Sequence, residues 1–176
     1  MMGKRKISIF SVLVLIVGLS GLGLGAYSLY KVVSPKPLTR VFVSSAQSVP
    51  DHIWTVVDFD AVDYDVTGDF NLITDRFICP TSGYYLISGR VFFTIILDGE
   101  TIWAGVYREG ILEVESRAYG SNTLSLDTIF SDIVYLNAGD YVELRVYHTG
   151  SFDRSIYADT EGTYTYLTIA ATDILN

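Results

Sequence analysis

Beyond residue 38 the sequence is a succession of short apolar segments, each ended by turn residues, and none has the period of a long helix. The segments are enriched in β-branched and aromatic residues, which favour strands. Many short strands separated by turn signals are typical of an all-β sandwich. The candidate strands are Val41–Ala46, Ile53–Phe59, Leu72–Cys79, Tyr84–Leu97, Thr101–Arg108, Leu112–Ala118, Leu124–Leu136, Tyr141–Tyr147 and Thr163–Thr172.

Turn residues and apolar alternation refine this prediction. The Asp-Gly pair at 98–99 and the Glu-Gly pair at 109–110 are expected to form tight hairpin turns, because glycine tolerates a positive φ. In the segment 142–147 apolar and charged residues alternate. We therefore expect Glu143 and Arg145 to point outward to solvent while their apolar neighbours point into the core.

The N-terminal segment has a different character. Residues 7–30 form a run without a charged side chain, preceded by Lys4, Arg5 and Lys6. At about 1.5 Å per residue, a helix of this length crosses a bilayer core of about 30 Å. The positive-inside rule then predicts a cytoplasmic N-terminus and an extracellular body. The alternative is a cleaved signal peptide, favoured by small residues near the end of the run, and it also exports the body.

The expected organisation therefore has four parts. They are a cytoplasmic basic tip over 1–6, a single-pass transmembrane signal-anchor helix over 7–30, a proline-containing stalk over 31–39 and a β-domain over 40–176. The predicted location is the cell membrane with the C-terminal domain outside, or the extracellular space if the apolar run is cleaved.

The charge is distributed unevenly along the chain. The formal net charge is −8, with 12 basic and 20 acidic residues. All the acids lie beyond residue 38, where seven arginines and no lysine occur, so this part carries −13 (7 − 20). A body this acidic repels phosphate backbones, which excludes nucleic acid as a partner.

A spaced set of residues resembles the signature of the complement C1q-type globular head domain. The pattern is Phe-x5-[Asn/Asp]-x4-aromatic-x6-Phe-x5-Gly-x-Tyr, and every gap is matched in this chain. The chain departs from the family at Ile87 and Gly89, where aromatic residues are usual, and it has no collagen stalk. The matching residues are Phe59, Asp65, Phe70, Phe77, Gly83 and Tyr85.

This resemblance implies a jelly-roll β-sandwich of about ten antiparallel strands, related to tumour necrosis factor. It also implies a homotrimer whose role is recognition rather than catalysis. On physical grounds the three phenylalanines should set the packing between the sheets, and Tyr85 should bury its ring and place its hydroxyl beside a polar partner. Gly83 is expected to adopt a backbone conformation that other residues resist.

A run of alternating carboxylates makes calcium the one cofactor to consider. Asp58, Asp60, Asp63 and Asp65 offer oxygen ligands of the kind that Ca²⁺ prefers, and the predicted extracellular location would supply the ion. The spacing is not that of an EF-hand loop, and alternating aspartates on a strand more often mark a solvated face, so the sequence favours no cofactor, with calcium as the alternative.

Several aromatic residues could contact a ligand. The polar segment 147–156 is the best candidate for an exposed recognition loop, and Phe152, Arg154 and Tyr157 are the candidate binding residues for a protein or glycan ligand. Trp54 and Trp103 also lie near predicted strand ends. The alternative is that most of the aromatic residues belong to the core or to the trimer interface.

Catalytic chemistry has little support in the sequence. The chain has one cysteine and two histidines, His52 and His148, in no metal-binding motif, and it lacks a Gly-x-Ser-x-Gly elbow. Cys79 lies among apolar residues, where a buried inert thiol is expected. The favoured function is a membrane-anchored extracellular recognition or adhesion protein with a homotrimeric head. The alternative is a structural surface subunit of a pilin, envelope or coat with a β-sandwich head.

Overall fold

The computed structural model describes residues 35–121 and 125–172, and Lys36–Asn176 forms one compact unit. All regular structure in the described ranges is β-strand, in two antiparallel sheets that enclose one core. No helix in these ranges is long and apolar enough to cross a membrane. The predicted basic tip 1–6 and transmembrane helix 7–30, with stalk residues 31–34, lie outside the described residues.

Thirteen strands are present in the described ranges, more than the nine candidates, because several short pairings flank the long strands. The strands are β1 Leu38–Phe42, β2 Gln47–Val49, β3 Thr55–Val56, β4 Ala61–Asp65, β5 Phe70–Asn71, β6 Arg76–Ile78, β7 Gly83–Thr94, β8 Thr101–Arg108, β9 Ile111–Tyr119, β10 Ser125–Leu136, β11 Tyr141–His148, β12 Arg154–Ile156 and β13 Tyr166–Ala171.

The two sheets divide these strands as a jelly roll does. The first sheet has the order β2–β12–β7–β13–β1–β4, and β10 pairs with β7 over the whole of both strands. The second sheet has the order β5–β6–β11–β8–β9, and β3 pairs with β11. The fold class expected from the sequence, an all-β sandwich, is confirmed.

One of the two predicted hairpin turns is confirmed and the other is wrong. Glu109 and Gly110 connect the paired strands β8 and β9 with φ values of 51° and 78°, which fits a turn with two positive φ angles. The pair at 98–99 does not close a hairpin, because β7 and β8 belong to different sheets. Residues 95–100 instead carry the chain from one sheet to the other.

The candidate strand Leu72–Cys79 is shorter than expected, because a side chain replaces the strand pairing at its start. The Asn71 side-chain oxygen accepts hydrogen bonds from the backbone N–H groups of Ile73 (2.9 Å) and Thr74 (3.3 Å). Such a local bond offers the backbone an alternative to a sheet ladder. Only Arg76–Ile78 is therefore a strand in this segment.

The core shows why Gly89 stands where the family usually has an aromatic residue. Gly89 pairs with Phe130 across β7 and β10. A Cβ at position 89 would lie 2.6 Å from the Phe130 ring and 2.6 Å from the Tyr166 carbonyl oxygen. The bulk that the family places on β7 is thus supplied from the neighbouring strand by Phe130, which is 5% exposed.

Glu143 is not exposed to solvent, although the alternation of apolar and charged residues in segment 142–147 predicted that it would be. Its side chain is on the outer face of the second sheet but is only 1% exposed, because Arg76 and Arg145 cover it. Arg76 Nε donates to one carboxylate oxygen at 2.9 Å and Arg145 Nε to the other at 2.8 Å. Two guanidinium groups therefore supply the hydrogen bonds that a buried carboxylate requires.

Candidate functional site

Three of the six signature residues lie in the core of the sandwich. Phe59, Phe77 and Tyr85 are at most 1% exposed. Phe59 meets Phe70 edge to face with ring centroids 5.8 Å apart, and Phe77 meets Tyr85 at the same distance. Such edge-to-face pairs add to the free energy of burial. The expected packing role of Phe59, Phe77 and Tyr85 is confirmed.

Asp65 and Gly83 show that the signature also fixes local backbone. The Asp65 carboxylate accepts hydrogen bonds from the N–H groups of Asp69 (3.2 Å) and Phe70 (3.0 Å) and from the Thr39 hydroxyl (2.7 Å), which closes the turn after β4. Gly83 does not have a positive φ, and a Cβ there would meet no atom within 4 Å. The conformational explanation offered for Gly83 is therefore wrong.

The Tyr85 hydroxyl has the polar partner that was expected. It donates to the Thr81 carbonyl oxygen at 2.7 Å, and the Thr81 hydroxyl lies 3.3 Å away. Burial raises the pKa of Tyr85 to about 12, with the nearby Cys79 thiol adding to the rise. Burial likewise raises the pKa of the Cys79 thiol, which is free and buried as expected.

The four aspartates considered for calcium have separate partners. The Asp60 carboxylate accepts hydrogen bonds from the backbone N–H (2.5 Å) and the hydroxyl (3.0 Å) of Ser44. Burial opposes ionisation of Asp60, but these bonds hold its pKa below the usual value. Asp63 pairs with the Arg40 guanidinium at 2.8 Å.

The remaining two aspartates are also apart from each other. Asp65 closes the turn described above. Asp58 lies near Asp75, whose pKa is raised by burial and further raised by the charge of Asp58. Within the described residues, no three His, Cys, Asp or Glu side chains come together as a metal site would require. The calcium hypothesis thus gains no support from the geometry and stays a prediction.

Arg154 has a different role from the one the sequence suggested. Its side chain is 7% exposed and forms a two-pronged ion pair with Glu100, with Nε donating at 3.0 Å. Burial opposes ionisation of Glu100, but the hydrogen bonds from Arg154 and from the Leu97 N–H lower its pKa. The pair joins the connection 95–100 to the first residue of β12, so Arg154 holds the start of this strand in place rather than facing a ligand.

The other two candidate binding residues are not brought together. Phe152 is 72% exposed at the tip of the β11–β12 loop. Tyr157 packs its ring on Tyr164, with centroids 4.7 Å apart, and on Phe92 at 5.7 Å. Tyr157 therefore belongs to an aromatic cluster on the first sheet, and Phe152 alone is presented by the loop as expected.

The outer face of the first sheet carries a row of apolar side chains that sequence reasoning missed. In the strand register Leu38 pairs with Ala170, Ala170 with Leu86, and Leu86 with Ile133. These four residues, the apolar row, cross β1, β13, β7 and β10 side by side. Leu38, Leu86 and Ile133 are 37%, 38% and 47% exposed.

Further aromatic and aliphatic side chains extend the apolar row. Tyr84 and Tyr135, the next outward pair, meet edge to face at 5.2 Å. Ile129, two outward positions further along β10, is 63% exposed. The sequence does carry a signal for this face. Along β7 and β10, aliphatic or aromatic residues occupy several outward positions as well as the inward ones, and such a pattern marks a strand that is covered on both faces.

Comparison with known proteins agrees with this architecture. In structure the chain is similar to the Eiger TNF protein from S. frugiperda (14% identity, 81% of this chain and 96% of that chain covered, TM-score 0.62). It is also similar to murine APRIL at pH 5.0 (14% identity, 78% and 100% covered, TM-score 0.62). A third similar structure is the globular domain of zebrafish complement 1qA (15% identity, 78% and 97% covered, TM-score 0.57).

At these identities the structural similarity establishes the fold alone. The sequence of the chain matches no curated protein. The C1q domain, however, matches residues 41–168, which is most of the chain and contains all six signature positions. The chain therefore belongs to the C1q domain family.

Proposed function

We propose that the β-domain assembles as a homotrimer through the outer face of its first sheet and serves as a non-catalytic recognition head. The observation that carries the proposal is the apolar row, where large aliphatic side chains from neighbouring strands stand exposed together. A contiguous apolar patch of this kind is typical of a protein interface. The C1q family resemblance supplies two further copies of this chain as the occupants.

The charges on this face fit association despite the acidic head. Arg40 pairs with Asp63 at 2.8 Å, and Arg90 pairs with Asp127 at 2.7 Å. The Arg40 guanidinium also lies 4.5 Å from the centroid of the Tyr166 ring. Arg40 and Arg90 thus compensate the carboxylates of Asp63 and Asp127, so these two acids add no uncompensated negative charge to the proposed interface between heads that carry −13 each.

The location of the head is a separate part of the proposal. We infer that residues 7–30 anchor the chain in the cell membrane with the head outside, on the basis of the uncharged run and its basic flank.

Mass measurement tests the assembly directly. Lys36–Asn176 is a compact unit with its own core, so this fragment and the full chain can be compared by sedimentation equilibrium. We expect a single species of three times the chain mass at micromolar concentration. A monomer throughout that range would refute the trimer, whatever the location of the chain.

Protease accessibility tests the location. In intact cells that produce the full chain, added protease should release or degrade the head, while an epitope placed before residue 7 should remain protected until the membrane is opened. Protection of both parts would contradict an extracellular head.

A further inference from the structure

The outer face of the second sheet carries a cluster of four aromatic rings. They come from Trp103 and Tyr107 on β8, Tyr147 on β11 and Trp54 just before β3, and we call them the aromatic platform. Trp54 lies 5.9 Å from Trp103, 5.7 Å from Tyr107 and 5.5 Å from Tyr147, measured between ring centroids. The core is closed by the opposite face of this sheet, so the fold does not need large rings here.

A glycine forms the floor of the aromatic platform. Gly105 lies on the outer face of β8 between Trp103 and Tyr107. A Cβ at this position would stand 2.9 Å from the Tyr107 ring and 3.3 Å from Trp54 Cζ3. Because Gly105 has no side chain, the Trp54 ring can pack directly against β8, and the four rings stay in contact with one another.

Paired charges border the rings. The Arg117 guanidinium lies 3.9 Å from the Trp103 ring centroid and bonds to Glu115, and the Arg145 guanidinium lies 4.4 Å from the Tyr107 ring centroid and bonds to Glu143. Both arginines are thus paired, although the chain beyond residue 38 carries −13. Glu143 is 1% exposed and also bonds to Arg76, so Glu115 is the carboxylate that remains accessible at the border of the platform. The border thus offers hydrogen-bond donors from both arginines and an acceptor from Glu115.

One donor within the platform lacks a partner. The indole Nε1 of Trp103 is buried and has no hydrogen-bond acceptor, and no other such side-chain atom occurs in the described part of the chain. An unpaired buried N–H lowers stability, and such departures from local optimisation are typical of functional surfaces.

We propose that the aromatic platform binds a neutral carbohydrate through one of its pyranose rings. A pyranose ring has an apolar C–H face that packs on aromatic rings, and hydroxyls at its edge that both donate and accept hydrogen bonds. The platform offers rings at its centre, and hydrogen-bond donors and an acceptor at its border, which match that pattern. At the Arg117–Glu115 edge a ligand with a net charge of either sign would meet a like charge.

This assignment rests on the proposed recognition function and names its ligand class. It does not depend on the trimer, because the platform lies on the sheet opposite to the apolar row. The experiment can therefore fail without affecting the assembly, and the assembly can fail without affecting the platform.

Tryptophan fluorescence reports on the platform specifically, since the only two tryptophans of the chain, Trp54 and Trp103, both belong to it. The full chain, in a detergent without a sugar headgroup, is titrated with methyl glycosides and short oligosaccharides of glucose, mannose, galactose and N-acetylglucosamine. Glucosamine and glucuronic acid serve as cationic and anionic comparisons. We expect a saturable change with at least one neutral sugar, and weaker binding of its charged counterparts.

Three variants locate the binding. Trp54→Ala should weaken it about 30-fold, as removal of an interface hot spot does. Arg117→Gln, which leaves the rings in place, should weaken it about fivefold through the loss of a hydrogen bond. Phe152→Ala tests the β11–β12 loop, the other candidate for a ligand contact, and the platform assignment requires that this variant binds as the wild type does. Circular dichroism and sedimentation of each variant verify that fold and assembly persist.

Two results would overturn the proposal. One is the absence of a saturable response to every neutral sugar in a chain that is folded. The other is a response that Arg117→Gln and Trp54→Ala leave unchanged while Phe152→Ala abolishes it. Sugar binding by a monomeric chain would instead refute the trimer and retain the platform.

Discussion

The two sheets enclose the same core, yet their outer faces differ. On the first sheet the apolar row stands exposed beside arginines that are already paired. On the second sheet four aromatic side chains pack on one another and are bordered by ion pairs such as Arg145–Glu143. The first face exposes large aliphatic side chains to solvent, whereas the aromatic rings of the second face pack on one another.

This difference separates two tasks that one sandwich can perform. Flat exposed aliphatic side chains gain free energy only when they are buried, so they suit permanent association. Aromatic rings with paired charges beside them tolerate water and remain available, which suits a reversible ligand. Each of the following changes tests whether the faces are distinct in this way.

The largest effect is expected at the apolar row. Ile133→Glu would place three carboxylates without partners in the trimer interface, which should weaken association more than about 100-fold, or about 3 kcal/mol. Ile73→Glu is the matched control, because Ile73 is 93% exposed in the β5–β6 connection. Sedimentation should find monomers for the first variant and trimers for the second. Equal masses would mean that the apolar row is not the interface.

The core shared by both faces should respond to alkaline pH. The folded protein raises the pKa of Tyr85 to about 12 from 10.0, so the folded state holds this proton more tightly than the unfolded state. Stability from this group is therefore complete below pH 10 and is lost as pH rises towards 12, a change of about 2–3 kcal/mol. Urea unfolding at several pH values measures it.

Tyr85→Phe should be less stable than the wild type below pH 10, since it loses the hydrogen bond to Thr81, but it should lack this part of the alkaline decline. Tyr119→Phe, at a tyrosine that is 69% exposed, should decline as the wild type does. An unchanged decline in Tyr85→Phe would show that this tyrosine does not limit alkaline stability.

A similar but somewhat smaller effect is expected from the buried carboxylate of the second face. Glu143→Ala would leave Arg76 and Arg145 without their common partner and should lower the free energy of unfolding by about 2 kcal/mol, a figure reduced because both guanidiniums are partly exposed. The trimer mass should persist. If Glu143→Ala instead dissociated the trimer, the second face would take part in assembly.

The smallest effect is expected at the border of the aromatic platform. Arg117 is 45% exposed and Glu115 22% exposed, so their ion pair is largely solvated. Glu115→Gln should change the free energy of unfolding by less than about 1 kcal/mol. Thermal unfolding of this variant beside Glu143→Ala compares an exposed with a buried carboxylate on one sheet. Equal losses would contradict the assigned burial of Glu143.

Residues whose role depends on local spacing could be predicted from the sequence. Phe59, Phe77 and Tyr85 are buried as their signature implied, because a fixed spacing of large apolar residues on short strands leaves few alternatives. The same holds for the turn at Glu109 and Gly110, where positive φ angles suit the residue types.

Residues whose role depends on distant partners could not be predicted. Glu143 and Arg154 are both charged and both buried, because Arg76 lies 67 positions from Glu143 and Glu100 lies 54 positions from Arg154. Nothing in the neighbouring sequence reveals such pairs. The apolar row was missed for a similar reason, since its members are separate in sequence and adjoin only through the register of four strands.

Thiol labelling can compare the two faces within one assembly. The native Cys79 is buried, so an introduced cysteine gives the main signal. Ser131→Cys places a thiol on the outer face of β10, next to the apolar row. Ile53→Cys places a thiol at an exposed loop position beside Trp54. In the full chain at trimer-forming concentration, we expect Ser131→Cys to react at least about tenfold more slowly than Ile53→Cys, and to lose this protection when Ile133→Glu is added. Equal reaction rates at both positions in a confirmed trimer would contradict assembly through the first sheet.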